Sequence, residues 1–175
     1  EVKYKPGTHF AYNTGATMLL ACIVEKLTGM SLLDYLTKKI FIDMEIYDVR
    51  WNPTDSGIKE GGCGIHVSCD DIAKFGLLYL NKGIWKGKRL LSEDWIEQAT
   101  RKVSENGDNG TSDWACGYGF QFWMMYRGGF RGDGACGQLC VVIPEKKLVF
   151  AVQAMLGDMQ MEIDALLEFA EHMYD

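Results

Sequence analysis

A tyrosine at the start of an apolar segment is the residue best placed for proton-transfer chemistry in this sequence. Residues 10–15 read Phe-Ala-Tyr-Asn-Thr-Gly, follow a Pro-Gly turn at residues 6–7, and lead into an apolar stretch. A tyrosine becomes an effective base only where nearby positive charge stabilises its phenolate. The local pattern leaves two roles open for Tyr12: a tyrosine that only anchors the buried helix, which the local sequence favours, and a proton-transfer group on the rim of that helix.

The other nucleophilic and metal-binding residue types do not form a complete site of their own. The six cysteines include no Cys-x-x-Cys pair, and their pattern predicts reduced, buried thiols. The spacing of Cys63, His66 and Cys69 fits a zinc site poorly. Residues 56–59 spell Ser-x-x-Lys, but in a loop rich in Pro, Asp and Gly, where serine and lysine would not share one helix face. We therefore expect no metal, no cofactor and no nucleophile at Ser56.

Helical patterns dominate the part of the chain that must position the tyrosine. Residues 16–27 are almost entirely apolar and predict a buried helix that stops at Gly29. Ser31 followed by Asp34 resembles a capping box and predicts a second helix to about residue 40. Two further helices are expected, at residues 71–80 and 92–99. Residues 43–64 are predicted to be turn-rich and irregular.

The pattern changes to strands near residue 114. Three strands with short connections predict an antiparallel meander, at residues 118–126, 137–143 and 148–155. An amphipathic helix at residues 164–173 follows them. We therefore predict an α+β domain, mainly helices and loops over residues 1–113 and antiparallel strands plus a C-terminal helix over residues 114–175. Three strands are few for this aromatic surface, so further strands are expected from an N-terminal part that the sequence lacks.

Composition restricts the classes of partner. Hydrophobic residues make up 47% of the chain and charged residues 24%, which is the profile of a soluble globular protein. The net charge of −6 disfavours nucleic acid. No apolar run approaches the roughly 20 residues that a membrane helix needs, and no signal peptide is recognisable. Together with reduced cysteines, these features predict a cytoplasmic protein without a nucleic-acid or membrane partner.

Several motifs occur in the order that the serine beta-lactamase and penicillin-binding-protein superfamily shows, and the sequence resembles its class C and esterase-like branch. Residues 10–15 resemble the Tyr-x-Asn motif, residues 61–65 the glycine-rich loop, and residues 70–80 the helix after it. Residues 81–83, 90–95 and 117–120 also match the sequence pattern of the superfamily, in the same order. The resemblance implies an antiparallel sheet flanked by helices, of which this chain is the C-terminal part, with the N-terminal strands and nucleophile helix absent.

The third motif of that superfamily is Lys-Thr-Gly or His-x-Gly, and its nearest match is Gly-Asp-Gly-Ala-Cys-Gly-Gln at residues 132–138. Asp133 has the opposite charge to the usual Lys or His. Arg131 or Arg127 would supply the positive charge if its side chain lies beside Asp133. Alternatively, Asp133 is an ordinary turn residue. This departure disfavours a beta-lactam and favours an esterase, amidase or peptidase that acts on a neutral or cationic group. The substrate contacts that the resemblance implies from this stretch are Asp133, Gly134, Ala135 and Cys136.

The resemblance also assigns substrate contacts to the residues after the tyrosine, Asn13 and Thr14. Thr14 stands where the family usually has Asn, so a hydroxyl replaces the full amide. An oxyanion N–H is expected from Ala135 or Cys136, because the glycines around them let the backbone approach a ligand closely.

The implied reaction is acyl transfer through a serine ester, with Tyr12 assisting a Ser-x-x-Lys pair that is missing from this chain. The leading expectation is a serine hydrolase for an ester, amide or beta-lactam, inactive as this chain alone. The alternative is a non-catalytic penicillin-binding-like module for a peptide, glycan or partner protein. The expected partners are a small-molecule or peptide-like substrate, and either the missing N-terminal segment or a second copy of the chain.

Overall fold

The computed structural model divides the chain into two compact units. The helical unit is Tyr12–Asp71, and the sheet unit combines Glu1–Ala11 with Ile72–Asp175. Tyr12, Asn13 and Thr14 therefore lie in the helical unit, whereas the third-motif residues lie in the sheet unit. The structure describes residues 3–55, 57–58, 60–107 and 112–173.

The helical unit begins with two helices whose ends follow from local sequence. Helix α1 (Thr14–Thr28) ends at Gly29, which is left-handed at φ 67° and donates its N–H to the Glu25 carbonyl. Helix α2 (Leu32–Leu36) begins after Ser31, whose hydroxyl accepts the Asp34 N–H, as the capping pattern predicts. It continues as a π-helical turn, Thr37–Phe41.

One strand of a small hairpin lies in residues 43–64, which the sequence predicted to be irregular, and this corrects the prediction for that strand. Strand β1 (Arg50–Trp51) pairs antiparallel with strand β2 (Ile65–His66). The indole N–H of Trp51 lies 2.8 Å from the carbonyl oxygens of both Glu60 and Cys63. The Trp51 side chain thus fixes the loop between the two strands. This contact joins residues that are distant in sequence, so turn residues alone do not predict it.

The next helix along the chain, α3 (Cys69–Leu80), begins in the helical unit, and most of its residues belong to the sheet unit. Helix α4 (Glu93–Thr100) belongs to the sheet unit and begins after Ser92, whose hydroxyl accepts the Trp95 N–H. Between them strand β3 (Ile84–Trp85) pairs with strand β4 (Lys88–Arg89) in a two-stranded hairpin that the sequence analysis did not predict.

The main sheet has four antiparallel strands in the order of the sequence. They are β5 (Trp123–Met124), β6 (Phe130–Gly134), β7 (Gln138–Ile143) and β8 (Leu148–Gln153). The predicted α+β meander is confirmed, but the strand predicted at residues 118–126 is reduced to two residues. Strand β6 was missed because its two glycines disfavour a strand locally, and its pairing with β7 overrides that preference.

Apolar side chains cover both faces of this sheet. Helix α5 (Met159–His172) lies against one face, where Ile163 and Leu167 pack with Leu139 and Val141. It contains the stretch that was predicted to lie in a C-terminal helix and begins at Met159, because Asp158 caps the Met161 N–H. The cluster on the other face consists of Tyr79, Ile96, Phe130 and Val142.

Helix α1 is less buried than its apolar sequence predicts. Ala21 is its buried residue, whereas four large apolar side chains are at least half exposed: Leu19, Leu20, Ile23 and Leu27. The described residues do not cover this face, so the prediction of a buried helix is wrong for it. None of the described helices is by itself long and apolar enough to cross a membrane, but Thr14–Thr28 and Leu32–Phe41, bent by 73°, meet the length and composition limits together.

Candidate active site

Tyr12 lies immediately before the first residue of α1, with its side chain 57% exposed. The next residue, Asn13, is the N-cap and has an extended backbone at φ −146°. The first turn of α1 contains no acidic residue, so no carboxylate offsets the partial positive charge of the helix start. The partial positive charge at this end of the helix is therefore not offset from within its own first turn.

The Asn13 side chain does not cap the helix that it precedes. Asparagine at an N-cap usually accepts an N–H of the first helical turn, but Asn13 makes no such bond. Its backbone carbonyl instead accepts the Ala16 N–H at 3.0 Å. The substrate-binding role predicted for Asn13 stays a prediction.

The glycine-rich loop packs on the start of α1. A Cβ on Gly62 would lie 2.3 Å from the Thr14 methyl carbon, and one on Gly61 would lie 2.8 Å from the Thr17 carbonyl oxygen. The Thr14 side chain therefore contacts the loop through its methyl group. These two glycines serve close packing of the loop against the helix that follows the tyrosine.

We expect Gly61→Ala to lower the free energy of unfolding by about 1–3 kcal/mol, because the new methyl group meets backbone and the Ala21 side chain. Urea unfolding of the two proteins measures the difference. Gly157→Ala is the control: a Cβ there meets nothing within 4 Å, so stability should stay the same or rise slightly. Equal losses in the two variants would contradict the packing role of Gly61.

Ala135, Cys136 and Gly137 form the turn between β6 and β7, called the β6–β7 turn (residues 135–137), whereas Asp133 and Gly134 are the last two residues of β6. Cys136 has φ +68° and Gly137 has φ +96°. A non-glycine residue in the left-handed region costs free energy, and such strain is concentrated at functional sites. The carbonyls of Cys136 and Gly137 accept the N–H groups of Leu156 and Ala154, each at 2.9 Å.

The turn exposes two consecutive residues whose backbone amides are candidates for an anion site. Ala135 and Cys136 are both exposed, and their N–H groups donate to no acceptor among the described residues. Because the carbonyls of the turn are held by the segment after β8, the turn is fixed from one side. Two adjacent, preorganised N–H donors can stabilise an oxyanion.

Asp133 is engaged by a buried arginine. Its carboxylate accepts the Arg131 Nε–H at 3.1 Å, and the two side chains are 10% and 0% exposed, respectively. Burial raises the pKa of Asp133, and the charge of Arg131 opposes that shift. Arg131 does lie beside Asp133, whereas Arg127 makes a surface ion pair with Glu171 at 3.5 Å. A substrate contact by Asp133 stays a prediction.

Asp113 completes this buried cluster, and the sequence analysis missed it. Its carboxylate accepts the Tyr126 N–H at 2.6 Å and the Gln160 side-chain amide at 2.8 Å, and its carbonyl accepts an Arg131 N–H at 2.9 Å. The Arg131 guanidinium also lies 4.4 Å from the ring centre of Trp114. Trp114 and Tyr126 are thus neighbours of the cluster, although Tyr126 is 55% exposed.

Metal ligands and other nucleophiles are not assembled in the described ranges. No group of three or more His, Cys, Asp or Glu residues there is placed to hold a metal ion. All six cysteines are free thiols; Cys63 and Cys136 are exposed, which corrects the prediction of burial for these two. The Ser-x-x-Lys string falls on Ser56 and Lys59, which lie outside the described residues.

A meander with helices on both faces and a tyrosine before an apolar helix are features of the beta-lactamase and penicillin-binding class of hydrolases. The family model for beta-lactamase matches residues 1–165, and the chain belongs to that family. A 6-aminohexanoate-dimer hydrolase of Paenarthrobacter ureafaciens is 33% identical over 141 residues, which are 74% of this chain and 35% of that protein.

Two further relatives agree with this family. An N-acetylmuramyl-L-alanine amidase of Bacillus subtilis is 38% identical over 56 residues, 32% of this chain and 13% of that protein. A solved structure from Bacillus anthracis, whose name includes the words 6-aminohexanoate-dimer hydrolase, superposes with a TM-score of 0.79 at 25% identity. The match covers 98% of this chain and 46% of that one. The chain thus spans less than half the length of these relatives.

Proposed function

We propose that the intact protein is a serine hydrolase that cleaves an amide bond through an acyl-enzyme. The observation that carries this proposal is the pair of exposed amides at Ala135 and Cys136, which have no acceptor among the described residues and lie on a strained turn. Such donors stabilise the oxyanion of a tetrahedral intermediate. The names of the two curated relatives, a 6-aminohexanoate-dimer hydrolase and an amidase, support an amide as the substrate.

In the proposed reaction a serine oxygen attacks the amide carbonyl and passes its proton to a base, and the carbonyl oxygen becomes an oxyanion. The N–H groups of Ala135 and Cys136 hold that oxyanion. Tyr12 is proposed to share the proton with a lysine and to deliver it to the leaving nitrogen as the C–N bond breaks. Water then attacks the serine ester by the same route and releases the acid.

The nucleophilic serine is proposed to lie in a part of the intact protein that precedes Tyr12 and is outside this sequence. The Ser-x-x-Lys string of this chain, residues 56–59, follows the tyrosine, whereas the family resemblance puts the nucleophile before it. This chain matches only 35% of the Paenarthrobacter ureafaciens protein and 46% of the Bacillus anthracis protein, so more than half of each relative has no counterpart in it, which supports the proposal. We propose that the missing part of the fold packs on the exposed apolar face of α1.

The charge at the third motif favours a substrate without a carboxylate beside the scissile bond. Family members that bind beta-lactams present Lys or His there, but this chain has Asp133, and the nearby Arg131 is fully buried in an ion pair with it. A short linear amide with a neutral or cationic end fits that charge better than a beta-lactam does.

The test is intact-mass spectrometry of the intact protein after reaction with a fluorophosphonate. We expect one adduct per chain, on a Ser-x-x-Lys serine that precedes Tyr12, because that serine is the activated nucleophile. The variant Ser56→Ala should be labelled equally. Loss of the adduct in Ser56→Ala would place the nucleophile at residue 56, and no adduct in the parent protein would favour a non-catalytic binding module.

A further inference from the structure

Glu162 is a buried carboxyl group for which the proposed reaction has no use. It lies in the first turn of α5, between the exposed Met161 and the fully buried Ile163, and it is 8% exposed. Both of its carboxyl oxygens are inaccessible to solvent and have no hydrogen-bond partner in the described part of the chain. An ionised carboxylate in such a place is costly, because neither water nor a donor solvates it.

The carboxyl group lies against the β6–β7 turn. A Cβ placed on Gly137 would be 2.5 Å from the Glu162 Oε2 atom, so the carboxyl group occupies the space beside the Gly137 α-carbon. The next contact on the same side is Ala154, whose N–H holds the Gly137 carbonyl. Glu162 therefore supports the turn from beneath, at the residue that follows the Ala135 and Cys136 amides.

The neutral form of Glu162 is the one that this position tolerates. Burial is the sole cause that raises its pKa, and no neighbouring charge contributes to the shift. A negative charge there would also oppose an oxyanion held by the adjacent amides. The ionisable groups on the surrounding elements are Asp158 at the N-cap of α5, Asp164, Glu168, Glu171 and His172 of α5, Arg131 and Asp133 of β6, Cys136 of the turn and Cys140 of β7.

We propose that Glu162 is a positioning residue for the β6–β7 turn: its neutral carboxyl group packs under Gly137 and keeps the Ala135 and Cys136 amides in place, and its ionisation releases the turn. The oxyanion role of those amides rests on the proposed function. The support of the turn by Glu162 does not, because it follows from packing and burial alone. The intact protein thus contains a proton-dependent control on its anion site.

Amide hydrogen exchange between pH 4 and pH 8 tests the proposal in the intact protein. The reporters are the N–H groups of Ala154 and Leu156, which hold the carbonyls of the turn. Because the pKa of Glu162 is raised in the closed turn, opening becomes easier as pH rises from the open-state pKa to the closed-state pKa. After correction for intrinsic exchange, the opening constant should rise about tenfold for each unit by which the two pKa values differ.

The variant Glu162→Gln should abolish that rise, because its amide stays neutral at every pH. Glu168→Gln is the matched control, since Glu168 is an exposed carboxylate on the same helix, and it should keep the rise. The same pH dependence in Glu162→Gln and the parent would overturn the proposal, as would a flat response in the parent. Exchange needs no catalysis, so a protein that fails the fluorophosphonate test still decides this question.

A second readout separates positioning from plain structural support. In the parent, kcat for amide hydrolysis should fall as Glu162 ionises, and Glu162→Gln should lack that part of the pH profile while KM stays similar. An exchange response without any difference between the two kcat profiles would show that Glu162 stabilises the fold without acting on the anion site.

Discussion

Replacing Tyr12 with phenylalanine is expected to lower kcat for amide hydrolysis by about 10²–10⁴-fold in the intact protein. This range is what one positioned acid–base group contributes. The phenyl ring fills the same space, and the side chain is 57% exposed, so the substitution removes the hydroxyl without opening a core cavity. KM should change little, because the hydroxyl contributes to proton transfer and not to substrate binding.

Steady-state kinetics on a short linear amide provides the measurement, with urea unfolding run in parallel to show that the fold is intact. Tyr47→Phe is the matched control, because Tyr47 is an exposed tyrosine of the same helical unit, 76% accessible. It should keep the parent kcat. A Tyr12→Phe protein with the parent kcat would remove Tyr12 from the mechanism and leave it as an anchor of α1.

Local signals predicted most of the helices correctly. The caps at Ser31 and Ser92 and the stop at Gly29 depend on neighbours within four residues, so short sequence patterns contain the whole cause. Elements that depend on distant partners were missed. Strand β6 has glycines that favour a turn, and its five residues become a strand because β7 pairs with each of them.

The same distinction applies to the candidate site. Tyr12 and the residues Asp133 to Cys136 were named as candidates because the family motifs are contiguous in sequence, although the β6–β7 turn itself was not predicted. Asp113 was missed because its partners lie 13, 18 and 47 residues away. Glu162 was missed because a glutamate in an amphipathic helix normally marks the solvent face, whereas here it lies between the helix and the turn.

The buried cluster of Arg131, Asp113 and Asp133 links these results, because it lies on the strand that leads into the β6–β7 turn. Arg131 joins the loop residue Asp113 to Asp133, only two residues before the turn amide of Ala135. An arginine in this position cannot bind a substrate carboxylate. It instead fixes the strand from which the candidate oxyanion donors project, which is a structural use of the charge that other family members present to ligands.

We therefore expect Arg131→Ala to lower the free energy of unfolding by about 3–5 kcal/mol, because it leaves the carboxylate of Asp133 buried without its partner. Arg127→Ala is the control, four residues earlier on the chain: its ion pair with Glu171 is about half exposed and should contribute about 0–1 kcal/mol. Urea unfolding of the intact protein measures both.

A double substitution distinguishes loss of the ion pair from loss of packing. Arg131→Met removes the charge but keeps a long apolar side chain between Trp114 and Trp123, and Asp133→Leu removes the carboxylate that would be left buried. If the unpaired charge causes the loss, the double variant should be more stable than Arg131→Met alone, since replacing both members of a buried pair is often neutral. Additive losses from the two single substitutions would instead show that Arg131 stabilises the sheet through its contacts with the two indoles and Asp113.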